Sequence, residues 1–235
     1  MKIYLWIIGL VGGSLFWLLR KTKRIEVYGY EKRKFNVEKT GLVLITNHRS
    51  LWEPVILPFL LFPWFLFSSK FIPYSLPDWE NFYKKWWFWP FRPACVPIKR
   101  GDRRAELETI EKILRPMLIK ERKILILHAE GTRTFKGIVL RGAKYSLSGK
   151  DIARFPQGIR RLFSDADLQI LPVWIEGGEK VLPNGPGFNK IIAKIPRIWR
   201  KTKIIIGEPF LVKGLPKREI VDFLEDSLLE LADKL

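Results

Sequence analysis

The apolar and polar positions of this chain predict short buried strands alternating with helices. Apolar runs rich in β-branched residues indicate strands, at Arg24–Val27, Leu42–Ile45, Phe65–Ser68, Cys95–Ile98, Ile124–Leu127, Gln169–Ile175 and Lys203–Ile206. Helices are predicted at Pro54–Leu61, Glu106–Leu118, Gly158–Phe163 and Lys217–Leu231. We therefore predict an α/β fold, in which a central, mostly parallel or mixed sheet is flanked by helices.

The N-terminal segment has a different pattern and predicts a membrane-associated helix. Residues Ile3 to Leu19 are nearly all apolar, and Arg20, Lys21, Lys23 and Arg24 follow at once. The run is near the short limit for crossing a bilayer. A signal peptide would carry more positive charge before the run and a small-residue cleavage site after it. We predict a retained anchor over residues 1–23 and one folded domain over residues 24–235.

The orientation of this anchor has two interpretations. If it spans the bilayer, the positive-inside rule places the folded domain on the cytoplasmic side of the inner or plasma membrane. If it lies flat, its basic flank still holds it against acidic headgroups.

The segment Asn47-His48-Arg49-Ser50-Leu51-Trp52-Glu53 follows a predicted strand and contains a candidate base. Imidazole is suited to accept a proton near neutral pH, and a carboxylate on its other nitrogen fixes the tautomer. On a regular helix, His48 and Glu53 would face about 140° apart. The segment must therefore be a turn that runs into a helix, with Glu53 at the N-cap and Pro54 as the first helical residue.

The segment Glu130-Gly131-Thr132-Arg133 follows the strand at Ile124–Leu127. Arg133 can bind a phosphate in a bidentate manner, Gly131 permits close backbone approach, and Thr132 adds a hydroxyl donor. Glu130 is unusual in a phosphate site unless it contacts a substrate hydroxyl or holds the arginine. No Gly-x-Ser-x-Gly elbow is present. A base beside a phosphate clamp indicates group transfer to a hydroxyl of a phosphorylated acceptor.

These motifs resemble those of the 1-acylglycerol-3-phosphate (lysophospholipid) acyltransferase family. That family carries Asn-His-x-Ser-x-x-Asp, a basic block, Phe-Pro-Glu-Gly-Thr-Arg, and a strand containing proline. The first block is matched by Asn47, His48 and Ser50, the second by Val96-Pro97-Ile98-Lys99-Arg100, the third by Glu130, Gly131, Thr132 and Arg133, and the fourth by Ile170-Leu171-Pro172-Val173. The agreement runs from about residue 40 to 210.

Two departures from the family pattern stand out. Glu53 replaces the usual aspartate and is one methylene longer, and His128-Ala129 replaces Phe-Pro. The resemblance gives His128 no role, although the residue could contact phosphate or share the proton work. It implies that His48 and Glu53 are catalytic. It also implies substrate binding by Asn47, Ser50, Arg100, Glu130, Gly131, Thr132, Arg133 and Pro172.

The resemblance predicts a membrane-bound O-acyltransferase acting on a lysophospholipid. The expected acceptor is 1-acylglycerol-3-phosphate, giving phosphatidic acid, and the donor is acyl-CoA or acyl carrier protein, with no cofactor. Three further functions stay open at this point. They are acyl transfer to another lysolipid or to glycerol 3-phosphate, hydrolysis of the acyl donor by the same base, and non-catalytic binding of anionic lipids.

The net charge and the small numbers of cysteine and histidine residues limit the classes of partner and site that the chain can have. The net charge of +18 favours anionic partners, namely lipid headgroups, coenzyme A or an acyl carrier protein. Nucleic acid is disfavoured because no nucleic-acid-binding motif is present. The single cysteine, Cys95, excludes an internal disulfide, and two histidines disfavour a zinc site. The run Trp86-Trp87-Phe88-Trp89-Pro90-Phe91 predicts either a surface that dips into the membrane or lines the acyl chain, or ordinary core packing.

Overall fold

The fold is built on a mixed sheet. A computed structural model describes residues 3–33, 39–131, 138–139, 141–183 and 195–235. The strands are β1 (Ile25–Tyr28), β2 (Gly41–Thr46), β3 (Pro73–Tyr74), β4 (Ile124–His128), β5 (Ala143–Tyr145), β6 (Asp151–Ala153), β7 (Leu168–Glu176), β8 (Thr202–Ile206) and β9 (Phe210–Leu211). The central sheet has the order β1-β8-β7-β2-β4-β3, and β9 pairs with β7.

Strand β2 lies in the middle of this sheet and runs parallel to both of its neighbours, β4 and β7. Strand β7 is antiparallel to β8 and β9. Strands β5 and β6 form a separate antiparallel hairpin. The predicted α/β class is therefore confirmed, and the sheet is mixed.

Helices cover both faces of the sheet. They are α1 (Ile3–Lys21), α2 (Glu53–Ile56), α3 (Trp64–Phe67), α4 (Arg103–Thr109), α5 (Arg115–Ile119), α6 (Arg160–Phe163), α7 (Gly178–Val181) and α8 (Ile220–Ala232). Leu57–Leu61 extends α2 as a 3-10 helix, and Ile110–Leu114 is a π-helical segment between α4 and α5. The four helices predicted for the folded domain are present with shifted ends, and the predicted N-terminal helix is α1.

The central strands bury alternate residues on opposite faces. Val43 and Ile45 of β2 belong to the core that includes α5 and α8. Leu42 and Leu44 belong to the core that includes α1 and α2. Because successive side chains of a strand point to opposite faces, an uninterrupted apolar run is what a strand covered on both sides requires.

Two predicted strands were wrong. Phe65–Ser68 is not a strand, because Trp64–Phe67 forms α3. A short apolar run without alternation does not distinguish a strand from a buried helical turn. Cys95–Ile98 makes only isolated bridges, from Cys95 to Ser75 and from Ile98 to Asp78. Proline in both partners removes the backbone donors that a regular ladder needs.

Helix α1 packs closely on the rest of the protein. A Cβ added at Gly12 would lie 2.1 Å from the Phe59 ring, and one at Gly13 would lie 2.0 Å from the Phe62 ring. Only glycine permits this approach. Phe16, one turn later, is buried in the same core. By length and composition, α1 could cross a membrane, although one such helix is weak evidence by itself.

Candidate active site

The two predicted motifs meet at one edge of the sheet. Strands β2 and β4 are parallel neighbours, with Thr46 opposite His128 at their ends. The carboxyl ends of parallel strands lie at the same edge, where α/β proteins bind their ligands. The prediction that each motif follows a strand is confirmed.

The turn after β2 brings His48 and Glu53 together. His48 Nδ1 lies 3.4 Å from Glu53 Oε2, and both residues are buried. Helix α2 begins at Glu53, with Trp52 as its N-cap. The prediction that Glu53 is the N-cap was therefore wrong by one residue. The turn runs into a helix as predicted, and it removes the angular separation that a continuous helix would impose.

Ser50 also holds the carboxylate of Glu53, through both of its oxygens. Its backbone N–H donates to Glu53 Oε2 at 2.8 Å, and its hydroxyl donates to Oε1 at 2.6 Å. The same hydroxyl accepts from the N–H of Trp52 at 3.0 Å. These bonds fix the carboxylate against the turn that carries His48.

The pKa of Glu53 is set by opposing effects. Burial raises it to about 8, because desolvation disfavours the charged form more than the hydrogen bonds from Ser50 favour it. The nearby negative charge of Glu179 raises it further. A positive charge on His48 would offset this cost, so the carboxylate is suited to stabilise the imidazolium that forms when His48 accepts a proton.

Asn47 ties the turn to the sheet. Its side-chain amide donates to the carbonyl of Ile175 and accepts from the N–H of Ile175, both at 2.9 Å. The side chain thus extends the pairing of β2 with β7 beyond the end of β2. The described bonds of Asn47 and Ser50 support the turn, and their role in substrate binding stays a prediction.

Glu130 holds the backbone of His48. Its Oε1 accepts the backbone N–H of His48 at 2.7 Å, and its Oε2 accepts the backbone N–H of Ala153 at 3.1 Å. The side chain of Arg141 donates to the carbonyl of Glu130. A second buried carboxylate therefore positions His48, through its backbone. The substrate-binding role predicted for Glu130 stays a prediction.

Gly131 follows with a left-handed backbone, at φ +68°. Its N–H donates to the carbonyl of His128 at 2.9 Å, which turns the chain away from β4. A Cβ here would lie 3.3 Å from the Pro156 ring. Thr132 and Arg133 lie outside the described residues, so the phosphate clamp assigned to them stays a prediction.

Arg100 and Pro172, the other predicted binding residues, lie in different surroundings. Arg100 has its Nε 3.7 Å from Asp78 Oδ2 and is exposed. Its positive charge helps to lower the pKa of His128, which places it near the exit of β4. Pro172 is buried inside the sheet, opposite Ile45, and its carbonyl accepts from the N–H of Gly207. Substrate binding by either residue stays a prediction.

Three residues that support the site were missed. Ala153 and Arg141 contact Glu130. Neither belongs to a recognised motif, and β6 and its hairpin were not predicted. Gly178 packs on the base's partners: a Cβ there would lie 2.6 Å from Glu53 Oε1 and 2.7 Å from Ser50 Oγ. The adjacent glycines Gly177-Gly178, directly after a long predicted strand, were the sequence feature that could have indicated this close approach.

Comparison with known proteins shows the family and the fold of the chain. The family model described as Acyltransferase matches residues 24–176. A similar solved structure is the crystal structure of the 1-acyl-sn-glycerophosphate (LPA) acyltransferase, PlsC, from Thermotoga maritima. It has a TM-score of 0.61 and 21% sequence identity, and the match covers 97% of this chain and 78% of that one. At this identity the likeness shows the shared fold.

Proposed function

The chain belongs to the acyltransferase family, and we propose that it transfers a fatty acyl group to a hydroxyl of a lysophospholipid. We propose 1-acylglycerol-3-phosphate as the acceptor, so that the product is phosphatidic acid. The donor is acyl-CoA or acyl carrier protein. The observation that carries this proposal is the buried contact between His48 Nδ1 and Glu53 Oε2.

The pair His48–Glu53 supports a direct transfer between two substrates. His48 Nε2 removes the proton from the acceptor hydroxyl, while Glu53 accepts the hydrogen bond from Nδ1 and stabilises the imidazolium. The acceptor oxygen attacks the thioester carbonyl, an ester bond forms, and the carbon–sulfur bond breaks. The departing thiolate takes the proton from His48, so the base returns to its starting state.

Positive charge near the base supports a phosphorylated acceptor. Arg100 lies close enough to the exit of β4 to lower the pKa of His128, and Arg133 follows the turn at Gly131 in the sequence. Arginine binds phosphate in a bidentate manner, which would orient the acceptor hydroxyl. The net charge of +18 also suits both proposed donors.

The function is tested by a mass-spectrometric acceptor screen. Wild type and His48→Ala are each incubated with palmitoyl-CoA and separate lysophospholipids, including 1-acylglycerol-3-phosphate, and with glycerol 3-phosphate. We expect phosphatidic acid from the wild type alone, and the screen is repeated with palmitoyl-acyl carrier protein. Free fatty acid without a diacyl product from either donor would indicate a hydrolase. Product from a different lysolipid alone would contradict the proposed acceptor.

Exposed apolar residues support association with a membrane surface. In the tryptophan run, Trp86-Trp87-Phe88-Trp89-Pro90-Phe91, Trp86 is 81% exposed and Trp89 is 53% exposed, so the run is not part of the core. Trp89 contacts Tyr4 edge to face at 5.4 Å, which joins the run to α1. The side of α1 opposite its glycines also exposes apolar residues, among them Ile7, Val11 and Leu18.

We infer that α1 and this tryptophan run lie along the bilayer on its cytoplasmic side. Tryptophan favours the region between headgroups and acyl chains. The close packing of α1 on Phe59 and Phe62 supports an arrangement flat against the protein rather than an independent span. Arg20 and Lys21, at the end of α1, would contact acidic headgroups.

Vesicle flotation tests this arrangement. The double variant Trp86→Ser/Trp89→Ser should bind phosphatidylglycerol-containing vesicles at least about fivefold less well, because two interfacial anchors are lost. Leu147→Ser is the matched control. Leu147 is fully exposed on the β5–β6 hairpin, and its N–H bonds to Asp233 beyond α8, on the other face of the sheet. Equal binding by all three proteins would contradict the proposed surface.

A further inference from the structure

His128, the only other histidine of the chain, lies directly against the proposed base. It is the last residue of β4, and its imidazole stacks on that of His48. The ring centroids are 4.3 Å apart, and the planes are inclined by 28°. At this distance and angle the two rings contact each other through their faces.

The hydrogen bonds of His128 do not explain its position. A hydrogen bond with the backbone of Asn47 favours the protonated form of the ring but does not outweigh the effect of burial on its pKa. Its Nδ1 is buried and has no hydrogen-bond partner within the described part of the chain. A buried nitrogen without a partner is costly. The flat face of the ring, rather than its second nitrogen, is what the surroundings use.

The surroundings also keep this ring uncharged. Burial lowers the pKa of His128 well below its usual value, and the positive charges of His48 and Arg100 lower it further. The carboxylates that bond to His48, those of Glu53 and Glu130, approach it from the ring edge and from the backbone. When His48 accepts a proton, its imidazolium therefore faces a neutral aromatic ring.

We propose that His128 is a positioning residue, whose ring face holds the imidazole of His48 in the plane that directs Nδ1 to Glu53 and supports the imidazolium by a cation–π contact. The inference rests on the proposed acyl transfer. His128 takes no proton in this scheme, because the proton moves from the acceptor hydroxyl to His48 and then to the thiolate. The phenylalanine of the related motif would supply the same flat face without nitrogen atoms.

Two substitutions at this position separate the ring face from the ring nitrogens. His128→Phe keeps a flat ring and removes both nitrogens, whereas His128→Leu keeps apolar bulk and removes the flat face. A cation–π contact of ordinary strength corresponds to about a tenfold change in rate. We expect kcat to fall about tenfold in the leucine variant and no more than about threefold in the phenylalanine variant. KM for the acceptor should change little in either.

Imidazole NMR provides a readout that a merely structural role would not change. Both variants contain His48 as their only histidine, so its ring nitrogens can be assigned without ambiguity. We expect one tautomer, protonated at Nδ1, in the phenylalanine variant, and a mixture of tautomers in the leucine variant. Thermal unfolding checks that both variants fold, and His128→Met replaces the leucine variant if it does not.

The kcat values and the tautomers of the two variants decide whether the proposal holds. Equal kcat in both variants, whether normal or reduced, would overturn the proposal, as would a single unchanged tautomer in both. An effect on KM alone would instead indicate substrate contact and would also overturn it. If the wild type forms no diacyl lipid at all, the proposed function fails, and the NMR comparison still decides whether the ring at position 128 orients His48.

Discussion

Glu53 and Glu130 are both fully buried carboxylates, and both hold His48, but they hold different parts of it. Glu53 contacts the imidazole at Nδ1, whereas Glu130 accepts the backbone N–H. The first can respond to a proton arriving on the ring, while the second fixes the position from which the ring extends. Glu53 therefore takes part in the chemistry of the site, whereas Glu130 supports the position of the base.

The two carboxylates also differ in their charged neighbours. Burial lowers the pKa of the Arg141 guanidinium, and the negative charge of the nearby Glu130 opposes this lowering. Glu53 instead lies near the negative Glu179, and its described hydrogen-bond donors are Ser50 and His48. A buried charge without a cation is costly. In the proposed reaction the missing positive charge appears on His48 only during transfer, when it is useful.

The largest expected effect is that of Glu53→Gln. A neutral amide cannot stabilise the imidazolium and can support the wrong tautomer, so kcat should fall about 1,000-fold. Vesicle binding should not change. Glu179→Gln removes a neighbouring exposed carboxylate and is the matched control, with activity close to wild type. Near-normal turnover of Glu53→Gln in the diacyl-lipid assay would refute its role beside the base.

Glu130→Ala should reduce both activity and stability. Two buried backbone donors, on His48 and Ala153, would lose their acceptor, which costs about 2–4 kcal/mol of the free energy of unfolding. We expect kcat to fall roughly 10- to 100-fold at a temperature where the variant is folded. Urea denaturation and the product assay measure the two effects. A loss of activity with full stability would contradict the supporting role.

Gly178→Ala should act through Glu53 with a smaller effect. The added Cβ would lie 2.6 Å from Glu53 Oε1, so the carboxylate must shift. We expect about a tenfold loss of kcat, since a small displacement of a catalytic group lowers the rate steeply. Gly158→Ala, where a Cβ meets nothing within 4 Å, is the matched control. Equal activities of the two variants would show that the close approach at Gly178 is not needed.

The smallest expected effect concerns stability against pH. Because burial raises the pKa of Glu53 from 4.5 to about 8, the folded protein binds a proton there that the unfolded chain releases. The free energy of unfolding should therefore fall as pH rises through this window. Glu53→Gln removes this dependence. The double variant His48→Ala/Glu53→Gln should gain more melting temperature over His48→Ala at pH 8.5 than at pH 5. The difference should be at least about 3 °C, which a shift of a single pKa unit would already produce. No change in this difference would contradict the raised pKa.

The sequence predicted the parts of the fold that depend on local pattern. Buried strands such as Leu42–Ile45 and Ile124–Leu127 appear as uninterrupted apolar runs, and the order of motifs placed His48 and Glu130 at strand ends. The spacing of His48 and Glu53 also required a turn, which the structure contains.

What the sequence did not predict depends on distant partners. Glu130 bonds to Ala153, which lies on a short hairpin without an apolar pattern. The stacking of His48 on His128 follows from the register of two strands, which no single segment encodes. The run that forms α3 was predicted as a strand because its local pattern does not show that the Phe65 ring packs against Gly9 of α1.

The packing of α1 has a practical consequence for producing this enzyme. Phe16 and Leu19 belong to the same core as the central strands, and the rings of Phe59 and Phe62 rest on the glycines of α1. Trimming the helix to obtain a detergent-free protein would uncover this core rather than release an intact domain. Aggregation of such a truncated chain would follow from lost folding, and soluble forms are better sought by changing the outward-facing residues of the helix.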